Sequence, residues 1–180
     1  MEFTDVIKTR TSIRSYNDQE VEDDKITYIL ECAQAAPSLM NQQCWRFIAV
    51  KNKETIHALS KTTVINRWLK NAPVIIVACG EPNESGTNNN IDYYTVDVAI
   101  ATEHLILAAT NVGLGTCWIG GFNEEKIKEI LGIPKRIRVV ALTPLGYPAE
   151  KKGITNRITK TITRGTKRKS LSEIVRYEKW

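Results

Sequence analysis

The chain has 180 residues, 42% hydrophobic and 25% charged, with a net charge of +5 and a pI of about 9.0. That composition fits one soluble domain, and no apolar run nears the roughly 18 residues of a membrane span. The opening MEFTDVIKTR has an early acid and no apolar core, so it does not read as a signal peptide.

Four cysteines, none in CxxC spacing, and two histidines argue against a metal site and a disulfide framework. Reduced thiols in a cytoplasmic protein are expected. Much of the positive excess lies in the C-terminal KKGITNRITKTITRGTKRK, with no recognition motif beside it, so no nucleic-acid partner is expected.

The first element is a short amphipathic segment over 4–10. A helix follows in VEDDKITYILECAQAAP, where Ile26, Ile29, Leu30, Ala33 and Ala36 share one face and Pro37 closes it. RFIAVKN (46–52) alternates as a strand, and a helix over 53–60 comes next. PVIIVAC (73–79) is apolar throughout, a strand buried on both faces. GEPNESGTNNN (80–90) reads as a polar loop, mobile and lid-like.

The longest helix, 91–112, is apolar on most sides and therefore central. GTCWIGG is a brief strand. Asn123 caps EEKIKEIL and Gly132 ends it, before a last long strand over 136–148. Helices and strands mix without a βαβ rhythm, so the fold class is α+β. The tail, 150–180, is too polar to build its own core. It ends in an S-x-x-E capping box at Ser170 and Glu173, so it should lie on this subunit's body or on a partner.

Four stretches carry candidate chemistry. In RTSIR, Arg10, Ser12 and Arg14 alternate, so two guanidinium forks and a hydroxyl share one side of an extended chain. That suits a phosphate dianion, and equally a solvated basic turn. In APSLMNQQCWRF (36–47), Ser38, Asn41, Gln42 and Gln43 offer the uncharged donors and acceptors that a heteroaromatic edge requires, or a helix cap and loop. GLGTCWIGGF (113–122) is a small-residue strand that a flat ligand can approach, or one packed tightly on the long helix. TKRKSLSEI places cations just before a capped helix.

Taken together, the four stretches resemble the FMN-dependent nitroreductase family. R-x-S-x-R, APSxxNxQPWxF, GLGTCWIGxF, LGYP and a basic R-K-x-L tail occur in family order at 10–14, 36–47, 113–122, 145–148 and 168–171. One departure is Cys44 where the family has proline before Trp45, a change expected to touch no functional group directly.

The resemblance implies a mixed sheet flanked by helices, as a single nitroreductase-like FMN-binding domain over 1–180. It implies a homodimer with FMN at the subunit interface and the arm at 150–180 wrapping the partner. Arg10, Thr11, Ser12 and Arg14 would bind FMN, with Arg10 and Ser12 nearest its phosphate and Arg168 and Lys169 completing that phosphate site. Pro37 and Ser38 would lie on the flavin face and Asn41 at its polar edge. Ile119, Gly120 and Gly121 would bring backbone to the ring, and Arg67 would sit near its pyrimidine end.

The implied activity is ping-pong transfer from NADH or NADPH through flavin N5 to a nitroaromatic or quinone. No catalytic side chain is implied, and His57 and His104 are structural. Two other readings stay open: a non-catalytic FMN-binding or storage protein, and a specialised dehalogenase-like relative.

Overall fold

The computed structural model describes residues 1–149 and 168–180. The polar segment from Glu150 to Lys167, expected to lie on a subunit surface, falls outside them. The chain divides into two units, 1–150 and 151–180.

In the first unit, α1 (Phe3–Thr9) and α2 (Asp23–Gln34) precede β1 (Trp45–Val50), α3 (Lys53–Ser60) and β2 (Val74–Gly80). A hairpin of β3 (Thr87–Asn88) and β4 (Ile91–Asp92) leads into α4 (Tyr93–Asn111). Then come β5 (Gly115–Thr116), α5 (Glu124–Leu131) and β6 (Arg138–Gly146). The main sheet has the order β1-β2-β6-β5, every pair antiparallel. A parallel bridge from Ser12 to Thr116 makes the sheet a mixed one, so the architecture is α+β, as expected.

β2 explains the layering. Alternate residues of a strand face opposite ways. Ile75, Val77 and Cys79 join Ile56, Leu59 and Ile127 of α3 and α5 in one buried cluster. Val74 and Ile76 join Ile26, Ile29, Leu105 and Ala109 of α2 and α4 in the other. The strand is buried along its whole length because helices cover both faces. Among the described residues no helix is long and apolar enough to cross a membrane.

The segment at 80–90 is not a plain loop. It forms a two-residue-strand hairpin whose turn residues, Asn89 and Asn90, take φ of 51° and 61°. Asparagine tolerates that left-handed geometry, which suits the twist of a tight hairpin. Arg46 pairs with Glu84 at its base.

In the second unit, Ser170 and Glu173 form the expected capping box ahead of α6 (Leu171–Ile174). Leu171, Ile174, Tyr177 and Trp180 are all exposed.

Glu124 ties α5 to β6. Its carboxylate accepts from Arg138 Nε at 3.0 Å and from the Val139 N–H at 2.9 Å, and pairs with Lys128 at 3.2 Å. Partial burial by itself raises its pKa, but these partners outweigh it and hold the group at about 2, below the ordinary 4.5. A depressed carboxyl pKa stabilises the fold above the unfolded value and loses that contribution as pH falls through the folded one. Glu124→Gln should therefore lower stability at pH 7, by about 1–2 kcal/mol at this partly exposed, screened site. Urea unfolding across the acid range should show that difference shrinking below pH 4.5 and vanishing toward pH 2.

Candidate functional site

Residues 10–16 leave α1 as extended chain along the sheet edge. The Arg10 N–H closes the helix on Val6 O at 3.0 Å. Ser12 then bridges Thr116, and the Ile13 N–H donates to Thr116 O at 2.7 Å. Tyr16 bridges Pro148, and its hydroxyl donates back to Ile13 O at 2.9 Å.

This pairing gives Arg10, Ser12 and Arg14 the expected alternation, and the Arg14 guanidinium donates to the Ser12 carbonyl at 3.4 Å. Burial pushes the Cys117 thiol up, while Arg14, the Ser12 hydroxyl and Arg10 all oppose that rise. Arg10 likewise opposes the upward push that desolvation gives Glu103 on α4. Arg10, Ser12 and Arg14 are half-buried, and Thr11 between them is exposed.

The second segment, 37–44, is strained. Pro37 is exposed and Ser38 half-buried, before a short 3₁₀ turn at Leu39–Asn41. Met40, Asn41 and Gln43 have φ of 49°, 59° and 51°, three non-glycine residues in the left-handed region. Such residues concentrate at ligand sites, where the surroundings hold them against their preference.

The holders here are identifiable. The Gln43 N–H donates to Ser38 Oγ at 2.9 Å, and Gln43 Nε2 donates to the Asn41 carbonyl at 3.1 Å. The Leu39 N–H donates to Asp97 Oδ1 on α4 at 3.0 Å. The Cys44 thiol donates to Asp97 Oδ2 at 3.7 Å, and Ser85 Oγ reaches the same oxygen at 3.5 Å. Burial and the neighbouring Asp97 push the Cys44 thiol up to about 11. Cys44 therefore does more than the sequence reading expects, because it bonds the group that holds the loop.

The third segment, 115–121, runs antiparallel along β6, and the register of β5 carries through to a bridge between Ile119 and Leu142. Ile119 is buried, while Gly120 and Gly121 are exposed. A Cβ on Gly120 would come no closer than 3.7 Å to any other atom, and one on Gly121 would meet nothing within 4 Å. The chain's own packing therefore does not require glycine at either position.

Arg67 is exposed at the start of a 3₁₀ turn, Arg67–Asn71, whose Trp68 packs on the Tyr16 ring at 6.5 Å. The preceding loop joins the third segment through the Asn123 N–H on Thr62 O, at 2.9 Å. Arg168 and Lys169 lie exposed just ahead of α6, in the second unit.

Sequence reading misses Asp97 and Ser85. Asp97 sits inside the apolar pattern of α4, and an acid at a buried helix position is the signal that could have found it.

A sequence model of the nitroreductase family matches residues 7–64 and 57–147. The chain belongs to that family. It is 38% identical over 151 residues to an Archaeoglobus fulgidus protein provisionally named NADH dehydrogenase/NAD(P)H nitroreductase, covering 82% of this chain and 86% of that one. It is 31% identical over 169 residues to the FMN reductase [NAD(P)H] of Bacillus subtilis, covering 83% and 68%. The crystal structure of a nitroreductase family protein from Clostridium novyi NT superposes with a TM-score of 0.81 at 42% identity, covering 85% of this chain and 89% of that one.

Gly115 sets how closely the family's R-x-S-x-R segment lies against β5, since a Cβ there would sit 2.6 Å from Ile13 Cγ1. Gly115→Ala should lower unfolding stability by about 1–3 kcal/mol, read from urea denaturation, because an overpacked contact must push the strand away.

Proposed function

We propose that this family member is an NAD(P)H-dependent flavin oxidoreductase that binds one FMN per subunit, as a single nitroreductase-like domain with residues 150–180 as its C-terminal arm. The observation that carries this reading is the alternation of half-buried Arg10, Ser12 and Arg14 along an extended segment paired to β5. The residues present fit the cofactor. Two guanidinium forks and a hydroxyl match a phosphate dianion. The strained amide-bearing loop and the two open glycines leave polar groups and bare backbone for a flat ring system.

Arg10, Thr11, Ser12 and Arg14 bind FMN, with Arg10 and Ser12 nearest its phosphate and Arg168 and Lys169 completing that site from the tail. Pro37 and Ser38 line the flavin face. Ser38 Oγ already accepts from Gln43, so its O–H is left to donate outward. Asn41 serves the polar edge, Ile119, Gly120 and Gly121 offer backbone to the ring, and Arg67 supplies positive charge toward its pyrimidine end.

FMN held by these residues would supply the redox chemistry between NADH or NADPH and a nitroaromatic or quinone acceptor, in ping-pong turnover. The protein's part is to bind, orient and tune, and no side chain is assigned a proton transfer. His104 is structural: its Nδ1 lies 3.3 Å from the Cys32 carbonyl oxygen.

The working state is a cytoplasmic homodimer with FMN at the interface. An apolar groove of about 500 Å³ between α1, α2 and α4, lined by Phe3, Tyr28 and Leu107, is the surface for the second copy. Phe3 is 69% exposed in the single chain, which such packing relieves.

Purified protein should be yellow, release FMN on denaturation and bleach rapidly with NADH or NADPH. Release of FAD, or no uptake of FMN, overturns the cofactor, and a bound FMN that never bleaches favours storage. Arg10→Ala should weaken FMN binding about ten- to a hundredfold by fluorescence titration, as expected for a lost charge-assisted contact of about 1.5–3 kcal/mol.

Removing 150–180 should cost both FMN affinity and dimerisation, since the deletion takes away Arg168, Lys169 and the interface cover. Size-exclusion chromatography with light scattering decides: a soluble, yellow dimer of the shortened chain would overturn the tail's part in the site.

A further inference from the structure

Asp97 is 2% exposed, and its carboxylate receives three neutral donors: the Leu39 N–H, the Cys44 thiol and the Ser85 hydroxyl. None of the ion pairs among the described residues involves it. A buried acid without a cationic partner is expensive to keep and persists where its hydrogen bonds accomplish something apolar packing cannot. All three bonds of Asp97 converge on two segments, the strained loop and the base of the β3–β4 hairpin. The Leu39 amide lies directly before Met40 and Asn41, both left-handed, and Cys44 directly follows left-handed Gln43. The carboxylate thus clamps the strained stretch at both ends from a helix buried in the core.

We propose that Asp97 is a positioning residue: it fixes the 38–43 loop in the left-handed form that presents Ser38 and Asn41 to the cofactor. This rests on the reading of that loop as the flavin wall. Ser38 and Asn41 would touch the ring, whereas Asp97 acts through the backbone between them. Cys44 and Ser85 share the task, and the hairpin is held to the loop by the same carboxylate.

The test begins with the full-length protein freed of FMN, comparing wild type with Asp97→Asn by amide hydrogen exchange. Exchange at Leu39 and Gln43 should rise at least tenfold, beyond any change in distant β2 amides. After reconstitution, FMN affinity should fall about tenfold or more, and the visible circular dichroism of the bound flavin should change. A merely structural residue would lower global stability without altering that signature. Cys44→Ala, which removes one donor, should produce the same changes in weaker form, and Cys44→Ser, which keeps a donor, should restore wild-type behaviour.

Unchanged exchange at Leu39 in Asp97→Asn overturns the proposal. So does a freed loop that leaves FMN affinity and dichroism as in wild type. If Asp97→Asn does not fold, the Cys44 pair decides by the same readouts, and equal behaviour of the alanine and serine variants overturns the proposal. Wild-type protein that binds no FMN sinks the flavin reading instead, while Leu39 exchange still reports whether Asp97 holds the loop.

Discussion

A helix that is apolar on nearly every side must be buried on nearly every side, and the placement of α4 is the constraint on which the rest of the molecule depends. Val98, Ala101, Leu105 and Ala109 pack with no exposure against the sheet and α2. Its few polar residues are therefore where other segments attach. Asp97 receives the strained loop and the hairpin base. One buried helix thus anchors both the amide loop and the hairpin base.

The two segments are held by different means. The cationic one is placed by backbone pairing, with Ser12 on Thr116 and Tyr16 on Pro148, and Gly115 allows Ile13 to come close. Pairing of that kind sets register and side-chain direction together, so alternation is enough to bring Arg10, Ser12 and Arg14 to one place. The amide loop has no strand partner. Met40 and Gln43, left-handed without asparagine's tolerance, each cost about 1–3 kcal/mol, more than a typical net hydrogen bond of about 0.5–1.5 kcal/mol contributes. Hydrogen bonds to a charged acceptor are stronger, at about 1.5–3 kcal/mol, which is why a buried carboxylate is the suitable anchor.

Legibility in the sequence followed the range of the interactions. Glu124–Leu131 is readable to the residue because its cap, Asn123, and its ending at Gly132 are local, whereas Asn52, read as the end of a strand, turns out to cap Lys53–Ser60. The apolar run at 73–79 announces a strand covered on both faces, though an antiparallel one, since helices reach both sides without βαβ connections. The R-x-S-x-R segment is readable because alternation is a local property. The strand order β1-β2-β6-β5 joins residues far apart in the chain and is not written in any window. The hairpin at 87–92 escapes because its strands are two residues long, too short to show a period. Asp97 escapes because a single acid within an apolar stripe reads as an interruption until its partners, 58 and 53 residues away, are known.

Cys44 shows how a departure from a family pattern is absorbed. Proline at that position would fix φ near −65° and stiffen the exit from the loop, and it would carry no side-chain donor. Cysteine leaves φ free, and the thiol bond to Asp97 restrains the same point from the side. The backbone carbonyl of Cys44 meanwhile accepts the Glu81 N–H at 2.9 Å, and buried Glu81 pairs with Arg136 at 2.8 Å. Residue 44 is therefore bound to α4 through its side chain and to the end of β2 through its backbone. Rigidity that proline would build into one residue is here supplied by a thiol bonded to a buried carboxylate. The loop's conformation then depends on the packing of α4, which holds Asp97 in place.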